Sequence, residues 1–513
     1  MSDLPDDLLH PQAYPHPVSK VKLIETHLSW VFLTGTFAYK VKKPVRFEFV
    51  DFSTLDRRKR FCDEELRCNR RFAGELYVDV CPIVQTLQGK FRVANPDDSQ
   101  SAEDWAVRMR QFDHTQQADL LLEAGHLAAE ELEAFGRLLA QQHQTLPKHL
   151  GHYEPLQPML ANFEVLRSTN NPVADPARLE RLKTAATNEY DRRAALLGQR
   201  QHDGFVRECH GDLHLANIVR LDSGLCAFDC LEFSEDLRRI DVMSDVAFLF
   251  MDCLIRDRRD LAYSFLDGYL DRSGDYQGTV LLPLFTAYRS MVRAKVAALR
   301  LRQAPDDAVA ASQLRKYLDW GEPSNQALGT LIVMNGVSGT GKSYWARQLA
   351  REFGAIRIRS DVLRKAVNAA PSSSHGSRVK TGRYAESVST RLYDQMADIA
   401  TDLLNSGQLV IIDAASLQRD QRQRLYAAAA RAGAACCVIR LDASLPVLEQ
   451  RLLAREQLGD DPSEADQSVL NWQLENQDVP GLEEPVVTLL TDDLTLSELM
   501  QCVKVALPDA AIT

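Results

Sequence analysis

Two stretches of this chain hold residue types at spacings that suit phosphoryl transfer to a hydroxyl group. The first is His210-Gly-Asp212-Leu-His214-Leu-Ala-Asn217, followed twelve residues after Asn217 by Asp229 in Phe228-Asp229-Cys230. In such an arrangement an Asp takes the acceptor's proton. An Asn five residues on holds one Mg²⁺, and an Asp on the next strand holds Mg²⁺ against the phosphates. Asp212, Asn217 and Asp229 are read in those roles, because the short spacing lets one loop present base and metal ligand together. His214 is expected to orient the loop, and Asp241 and Asp245 to tie it down from a helix start.

The second stretch, Gly336-Val-Ser338-Gly339-Thr340-Gly341-Lys342-Ser343, follows the apolar run Leu331–Met334 and precedes helix-forming residues 344–352. Glycines let backbone N–H groups curl around phosphates, Lys342 reaches the β/γ oxygens, and Ser343 is placed for Mg²⁺. Val410-Ile-Ile-Asp413 reads as the second nucleotide-binding strand, with Asp413 on Mg²⁺ directly or through water. Ala414 stands where a hydrolysing motor would need a water-orienting Glu, which favours transfer to a bound acceptor.

An acceptor needs a base, and Asp361, just past the predicted strand Ala355–Arg359, is the candidate, with Arg364 to hold an anionic group. The competing reading is a helix-capping Asp beside a surface Arg. Arg451 and Arg455, four apart on one helix face, are placed to close over a transferring phosphate. Residues 357–391 hold eight bases (Arg357, Arg359, Arg364, Lys365, Arg378, Lys380, Arg383, Arg391) against Asp361 and Glu386, a local balance of 8 − 2 = +6. Such a patch suits a phosphorylated acceptor or a nucleic-acid end; a solvated basic face is the plainer reading.

These groups need elements to carry them. From Val21 to Val93 the pattern is strand-rich, with Trp30–Leu33, a turn at Gly35, and alternation from Phe37 to Val45. A helix over Leu55–Phe72 puts Glu65 on the same face as Phe61, Cys68 and Phe72. An ionisable group on an apolar face wants a cation, and Lys40, alternating out of its strand as a phosphate lysine would, is the expected partner. Lys42 and Glu64 are the close alternatives. A strand over Trp105–Phe112 and a mostly helical region lead to the first motif, framed by strands at Gly204–Cys209 and Leu225–Asp229. Gly321–Ala327 is turn-rich, and beyond it strands and helices alternate as in a parallel α/β sheet.

The chain's 513 residues predict about three folding units. At 45% hydrophobic and 26% charged it is neither fibrous nor disordered, and no apolar run spans a membrane. The first 20 residues lack the basic-then-apolar order of a secretory signal, so a cytoplasmic location is expected. A net charge of 60 − 71 = −11 excludes whole-surface attraction to nucleic acid or anionic membrane. The ten cysteines form no CxxC pair and are expected as buried, reduced thiols, Cys81, Cys226, Cys436 and Cys502 among them.

The C-terminal residues resemble the small P-loop kinases of the gluconate-kinase, polynucleotide-kinase and zeta-toxin type, over about residues 328–500. That resemblance implies Asp361 as catalytic base and the Arg451/Arg455 pair as part of a lid. Residues of about 20–318 resemble the aminoglycoside-phosphotransferase and choline-kinase family, similar in fold to protein kinases. This implies an adenine hinge near Arg108–Phe112, and the sequence departs from the kinase pattern in having only Gly35, not GxGxxG, before Lys40. Together the halves resemble bacterial bifunctional aminoglycoside phosphotransferase/ATP-binding fusions. The implied fold is an α+β protein-kinase-like domain followed by an α/β P-loop kinase domain with a parallel sheet. The expected partition is a poorly ordered arm at 1–20, a kinase-like domain at 21–318 (small lobe about 21–112, large lobe about 113–318), a linker at 319–328 and a P-loop domain at 329–513. ATP and Mg²⁺ are the expected cofactors, with small-molecule or phosphorylated acceptors. The alternative is a single active P-loop kinase regulated by a catalytically weak ligand-binding domain.

Overall fold

The computed structural model describes residues 4–47, 50–97, 102–322, 329–368, 383–458, 467–481 and 483–507, with the side chains of 366–368, 383–388 and 455–458 outside that description. The linker residues 323–328 and the patch residues Arg378 and Lys380 therefore lie outside the described residues, as does the side chain of Arg383. The chain forms two compact units. The first comprises 1–131, 142–252 and 286–318, and the second comprises 132–141, 253–285 and 319–513. Segments 132–141 and 253–285, expected in the large lobe of the kinase-like domain, thus belong to the second unit.

In the first unit, period-two alternation builds an antiparallel six-stranded sheet. Its order is Lys22–Glu25, Ser29–Leu33, Phe37–Lys42, Ala102–Arg110, Tyr77–Gln85, Phe91–Val93. Tyr39 and Val41 face one core with Phe32, Cys81, Ile83 and Ala106. Lys40 and Lys42 alternate to the opposite face, where the helix Leu55–Ala73 lies. Thr54 caps that helix by accepting from the Arg57 N–H.

Residues 4–20 correct the expectation of a poorly ordered arm. Leu4, Leu8, Ala13 and Tyr14 are buried in the same core as Phe32 and Tyr39, and Asp7 accepts from the Phe91 N–H. Four apolar side chains among prolines and acids suffice to anchor the segment on the sheet's outer face.

The second unit is organised around a parallel sheet ordered Ala355–Arg359, Leu409–Asp413, Thr330–Asn335, Ala435–Asp442, Val486–Leu490. Ile332, Met334, Ile411, Ile439 and Leu441 form one of its buried faces with Trp345 and Leu349 of the helix Lys342–Phe353. The helix Arg259–Ser273 packs backbone to backbone on the 132–141 segment, since a Cβ at Gly268 would lie 2.0 Å from the Glu133 carbonyl oxygen. Among the described residues no helix is long and apolar enough to cross a membrane. Cys436 and Cys502 are half-buried, not buried as expected: Cys436 lies at the beginning of the strand Ala435–Asp442, and Cys502 on the helix Leu496–Ala506. The other eight cysteines are buried.

Candidate active sites

In the first unit the motif spacing becomes a hairpin. Strands Ile218–Leu221 and Gly224–Ala227 pair so that Ile218 faces Ala227, which leaves Asn217 and Asp229 flanking the same end. The Phe228 N–H donates to the Asn217 carbonyl at 2.9 Å and closes that end. Asn217 Nδ2 donates to the backbone carbonyl of Asp212 at 2.9 Å and to its carboxylate at 3.0 Å. Asp229 has φ +61, a left-handed conformation that costs a non-glycine residue about 1 kcal/mol or more and is held by neighbours. Its N–H donates to the Tyr77 hydroxyl, and the next N–H, of Cys230, donates to Asn69.

Lys40 Nζ lies 2.5 Å from Asp229 and 2.8 Å from Glu65. Lys42 Nζ lies 2.7 Å from the other Glu65 oxygen and 2.5 Å from Glu232. Glu65 therefore bridges both lysines, where the sequence left the partner open between them. Burial works against the Glu65 charge, but Lys40 and Lys42 together bring its carboxyl down to about 2. Burial pushes the Glu232 carboxyl up against the opposing pull of Lys42.

The loop before Asn217 is pinned from below. Asp245 accepts from the His210 and Gly211 N–H groups at 2.9 Å each, with His143 beside it at 3.3 Å. Arg289 donates to the Gly211 carbonyl, and Asp252 accepts from the Leu215 N–H. Asp241, expected to do the same work as Asp245, instead accepts from two nitrogens of the Arg200 guanidinium. His214 lies 3.5 Å from the Asp212 carboxylate and 3.3 Å from Arg293. Burial opposes ionisation of Asp212, yet His214, Arg293 and His210 hold its carboxyl well below the usual range.

Gly35 sits in a two-residue turn, Thr34 pairing with Phe37, with φ +95 and its N–H on Gln111. That turn has no spare backbone to fold over a triphosphate. In the expected hinge stretch, Arg108 is ion-paired with Asp79 and lies over Phe37.

In the second unit the parallel order places three adjacent strand ends together: Asp361 after Arg359, Asp413 at its own strand's end, and Gly336 after Asn335. In such sheets ligands bind at the carboxyl ends of the strands. Gly336 (φ +145) admits no side chain, since a Cβ would lie 2.4 Å from the Leu441 carbonyl oxygen. Gly339 and Gly341 also have positive φ, and Gly341 opens the helix Lys342–Phe353. Lys342 Nζ donates to the Val337 carbonyl at 2.7 Å, folding the lysine over its own loop, and Thr340 donates to the same carbonyl. Ser343 donates to Asp413 at 3.0 Å. Serine and carboxylate oxygens here, and Asn217 with Asp229 in the first unit, are the hard donors a Mg²⁺ ion prefers.

Asp361 is half-buried at the start of the helix Ser360–Asn368, and Arg364 reaches back to it at 3.3 Å. Arg451 donates to Thr491 and to the Gly339 carbonyl, so it braces the glycine loop from one side. Arg455 lies on the same helix, Leu445–Leu458, with its side chain outside the described residues. The basic patch needs correction. Arg357 and Arg359 are buried in ion pairs with Asp267, Asp271 and Asp413, because strand alternation turns them inward onto carboxylates. Arg364, Lys365 and Arg391 are the exposed bases of the set among the described residues.

Sequence reasoning missed several contributors. Gln473, on the helix Gln467–Asn476, accepts from the Ser338 N–H of the glycine loop at 2.7 Å. Leu470, one turn earlier, is buried against Val337, Leu448 and Leu452. Tyr77, Asn69 and Glu232 in the first unit carried no local motif. Only the unusual burial of a Glu next to the Asp229 strand would have pointed to Glu232.

Comparison with known proteins gives both regions a family. The model of the Phosphotransferase enzyme family matches residues 49–281, and that of an AAA domain matches residues 331–480. The chain is 30% identical over 450 residues to uncharacterized protein Rv2004c of Mycobacterium tuberculosis and to uncharacterized protein Mb2027c of Mycobacterium bovis. Each alignment covers 86% of this chain and 88% of the relative. Solved structures that resemble it include a choline kinase from Cryptosporidium parvum (12% identity, TM-score 0.38, 59% of this chain and 88% of that one). A gluconokinase from Sinorhizobium meliloti is another (21% identity, TM-score 0.26, 36% of this chain and 93% of that one). The chain is a phosphotransferase, and it belongs, with its mycobacterial relatives, to the family that fuses an aminoglycoside-phosphotransferase-like domain to a P-loop kinase domain.

Proposed function

We propose that each unit binds ATP with Mg²⁺ and transfers the γ-phosphoryl group to a hydroxyl acceptor. The observation that carries this is the pairing, in each unit, of an acidic metal-type ligand with a lysine-bearing phosphate site: Asp229 with Lys40 and Glu65, and Asp413 with Ser343 and Lys342. In the first unit Asp212 is the base: its carboxyl is ionised, Arg293 among the groups that favour the charge, and Asn217 holds one of its oxygens at the loop that would receive the acceptor. Asn217 and Asp229 would hold the metal, and Lys40, itself oriented by Glu65, would hold the α/β-phosphates. In the second unit Asp361 is the base, with Arg364 beside it for an anionic acceptor. Ser343 and Asp413 would hold the metal, and the loop Gly336–Ser343, with Ser338, Gly339, Thr340, Gly341 and Lys342, would cradle the phosphates. Bound Mg²⁺ supplies charge neutralisation of the phosphate oxygens. The acceptors suggested by these sites are small molecules carrying an alcohol. A nucleic-acid end is less favoured, because two of the arginines meant for it are buried.

A second reading has one observation behind it. The two-residue turn at Gly35 gives the first unit no glycine-rich cover for a triphosphate, as a ligand-binding regulator of the P-loop kinase would tolerate. The test is to incubate the full chain with γ-labelled ATP and fractionated cell metabolites and RNA, comparing Asp212→Asn with Asp361→Asn. Two active centres predict that each variant loses its own set of labelled products, by roughly 10²- to 10⁴-fold. If Asp212→Asn leaves every product unchanged, the regulatory reading replaces the two-centre one.

A further inference from the structure

Arg357 is fully buried on the strand next to that of Asp413, and its fork is fully used. Nε and one terminal nitrogen hold Asp267 at 3.0 and 2.7 Å, and the other terminal nitrogen holds Asp413 at 2.9 Å. Arg359 continues the row, reaching Asp271 at 2.9 Å and the same Asp413 oxygen at 3.8 Å. The Asp413 oxygen taken by Arg357 is not the one that accepts from Ser343. The carboxylate is therefore split, one oxygen fixed from behind and the other presented toward the glycine loop. Arg347 also reaches Asp267, at 3.9 Å, so three guanidinium groups meet the three carboxylates of the row and Asp413 is held from behind without a proton or a metal there. Asp267 belongs to the helix Arg259–Ser273, which meets Glu133 backbone to backbone at Gly268, and Glu133 in turn pairs with Arg351 of the helix Lys342–Phe353 at 2.8 Å. That helix lies inside the stretch matching the Phosphotransferase enzyme family, upstream of the P-loop region.

We propose that Asp267, acting through Arg357, is a positioning residue for the P-loop centre, orienting Asp413 so that the second unit grips its nucleotide tightly only with Mg²⁺. The P-loop kinase would then depend on residues drawn from the other family's stretch of chain. This rests on the reading of Ser343 and Asp413 as the metal-holding pair. Supports of a metal ligand's orientation typically change metal affinity by about 10- to 100-fold.

The test uses the full chain and the non-hydrolysable nucleotide AMP-PNP, titrated by calorimetry with Mg²⁺ and with EDTA. The binding lost in Lys342→Ala is assigned to the P-loop site. For Asp267→Asn we expect the Mg²⁺-dependent gain in affinity at that site to fall about tenfold, with affinity in EDTA unchanged within about twofold. A merely structural role would lower both alike. A folded Asp267→Asn whose Mg²⁺ gain matches wild type overturns the proposal. Should that variant fail to fold, Arg357→Lys, which keeps the charge but not the fork, is read in its place against the same two outcomes. If the wild-type chain shows no Lys342-dependent binding at all, the reading of the P-loop centre itself fails, and the proposal with it.

Discussion

The two candidate centres achieve similar ends by opposite means. In the P-loop unit a single loop, Gly336–Ser343, supplies lysine, serine and backbone donors within eight consecutive residues. In the first unit the comparable groups come from positions as distant as Lys40, Glu65, Asp212 and Asp229, joined by buried ion pairs. Backbone geometry specifies one site and charge balance in a low-dielectric core specifies the other. The difference teaches where each is vulnerable: the first to loss of a buried charge, the second to loss of a glycine or of the support behind Asp413.

The sharpest separation should come from the two lysines of the first unit. Lys42 is wholly buried between Glu65 and Glu232, so Lys42→Met takes the ammonium from Glu232 and leaves Glu65 with Lys40 alone, and about 3–5 kcal/mol of stability should be lost. Lys40 is part-exposed and touches Asp229, so Lys40→Met should instead impair nucleotide binding more than folding. Thermal melts and nucleotide titrations on both variants check this; equal melting losses would erase the proposed division between a structural and a phosphate lysine.

Acid gives a second contrast. The Glu65 carboxyl is depressed in the folded state, so its contribution is fully present above its ordinary value of about 4.5 and disappears as pH falls through about 2. Melting temperatures measured between pH 5 and 2 should fall in the wild type, and the slope should flatten in Glu65→Gln. An unchanged slope would mean that Glu65 is not the charge holding this core.

The smallest effect concerns the P-loop unit. Gln473 competes with any phosphate oxygen for the Ser338 N–H, so Gln473→Ala should tighten nucleotide binding by the worth of one hydrogen bond, about 0.5–1.5 kcal/mol. Weaker binding in that variant would show the helix Gln467–Asn476 to be a clamp rather than a competitor.

What could be read beforehand follows the same divide. The P-loop, and the hairpin end carrying Asn217 and Asp229, were legible because their geometry is local: strand, loop and helix follow in order. Glu65 was legible as a charge on an apolar helix face, but its sharing between Lys40 and Lys42 was not. Both lysines leave the strand on the same side, and only the position of Glu232 brings the second into the core. Arg357 and Arg359 looked like part of an outward patch because two of the three carboxylates that bury them, Asp267 and Asp271, lie some 90 residues upstream. Gln473 had no signal at all, since one amide on a polar helix resembles every other. The strand Tyr77–Gln85 was legible only as part of the strand-rich stretch Val21–Val93, without bounds of its own. The 1–20 segment misled for a composition reason: its acids and prolines hid the spacing of Leu4, Leu8 and Tyr14.

That last segment bears on how the protein is handled. Because Leu4, Leu8, Ala13 and Tyr14 roof the aromatic face formed by Phe32 and Tyr39, trimming the leading fourteen residues to tidy an expression clone would strip a greasy patch bare and invite aggregation. Purification tags are better carried at the opposite terminus.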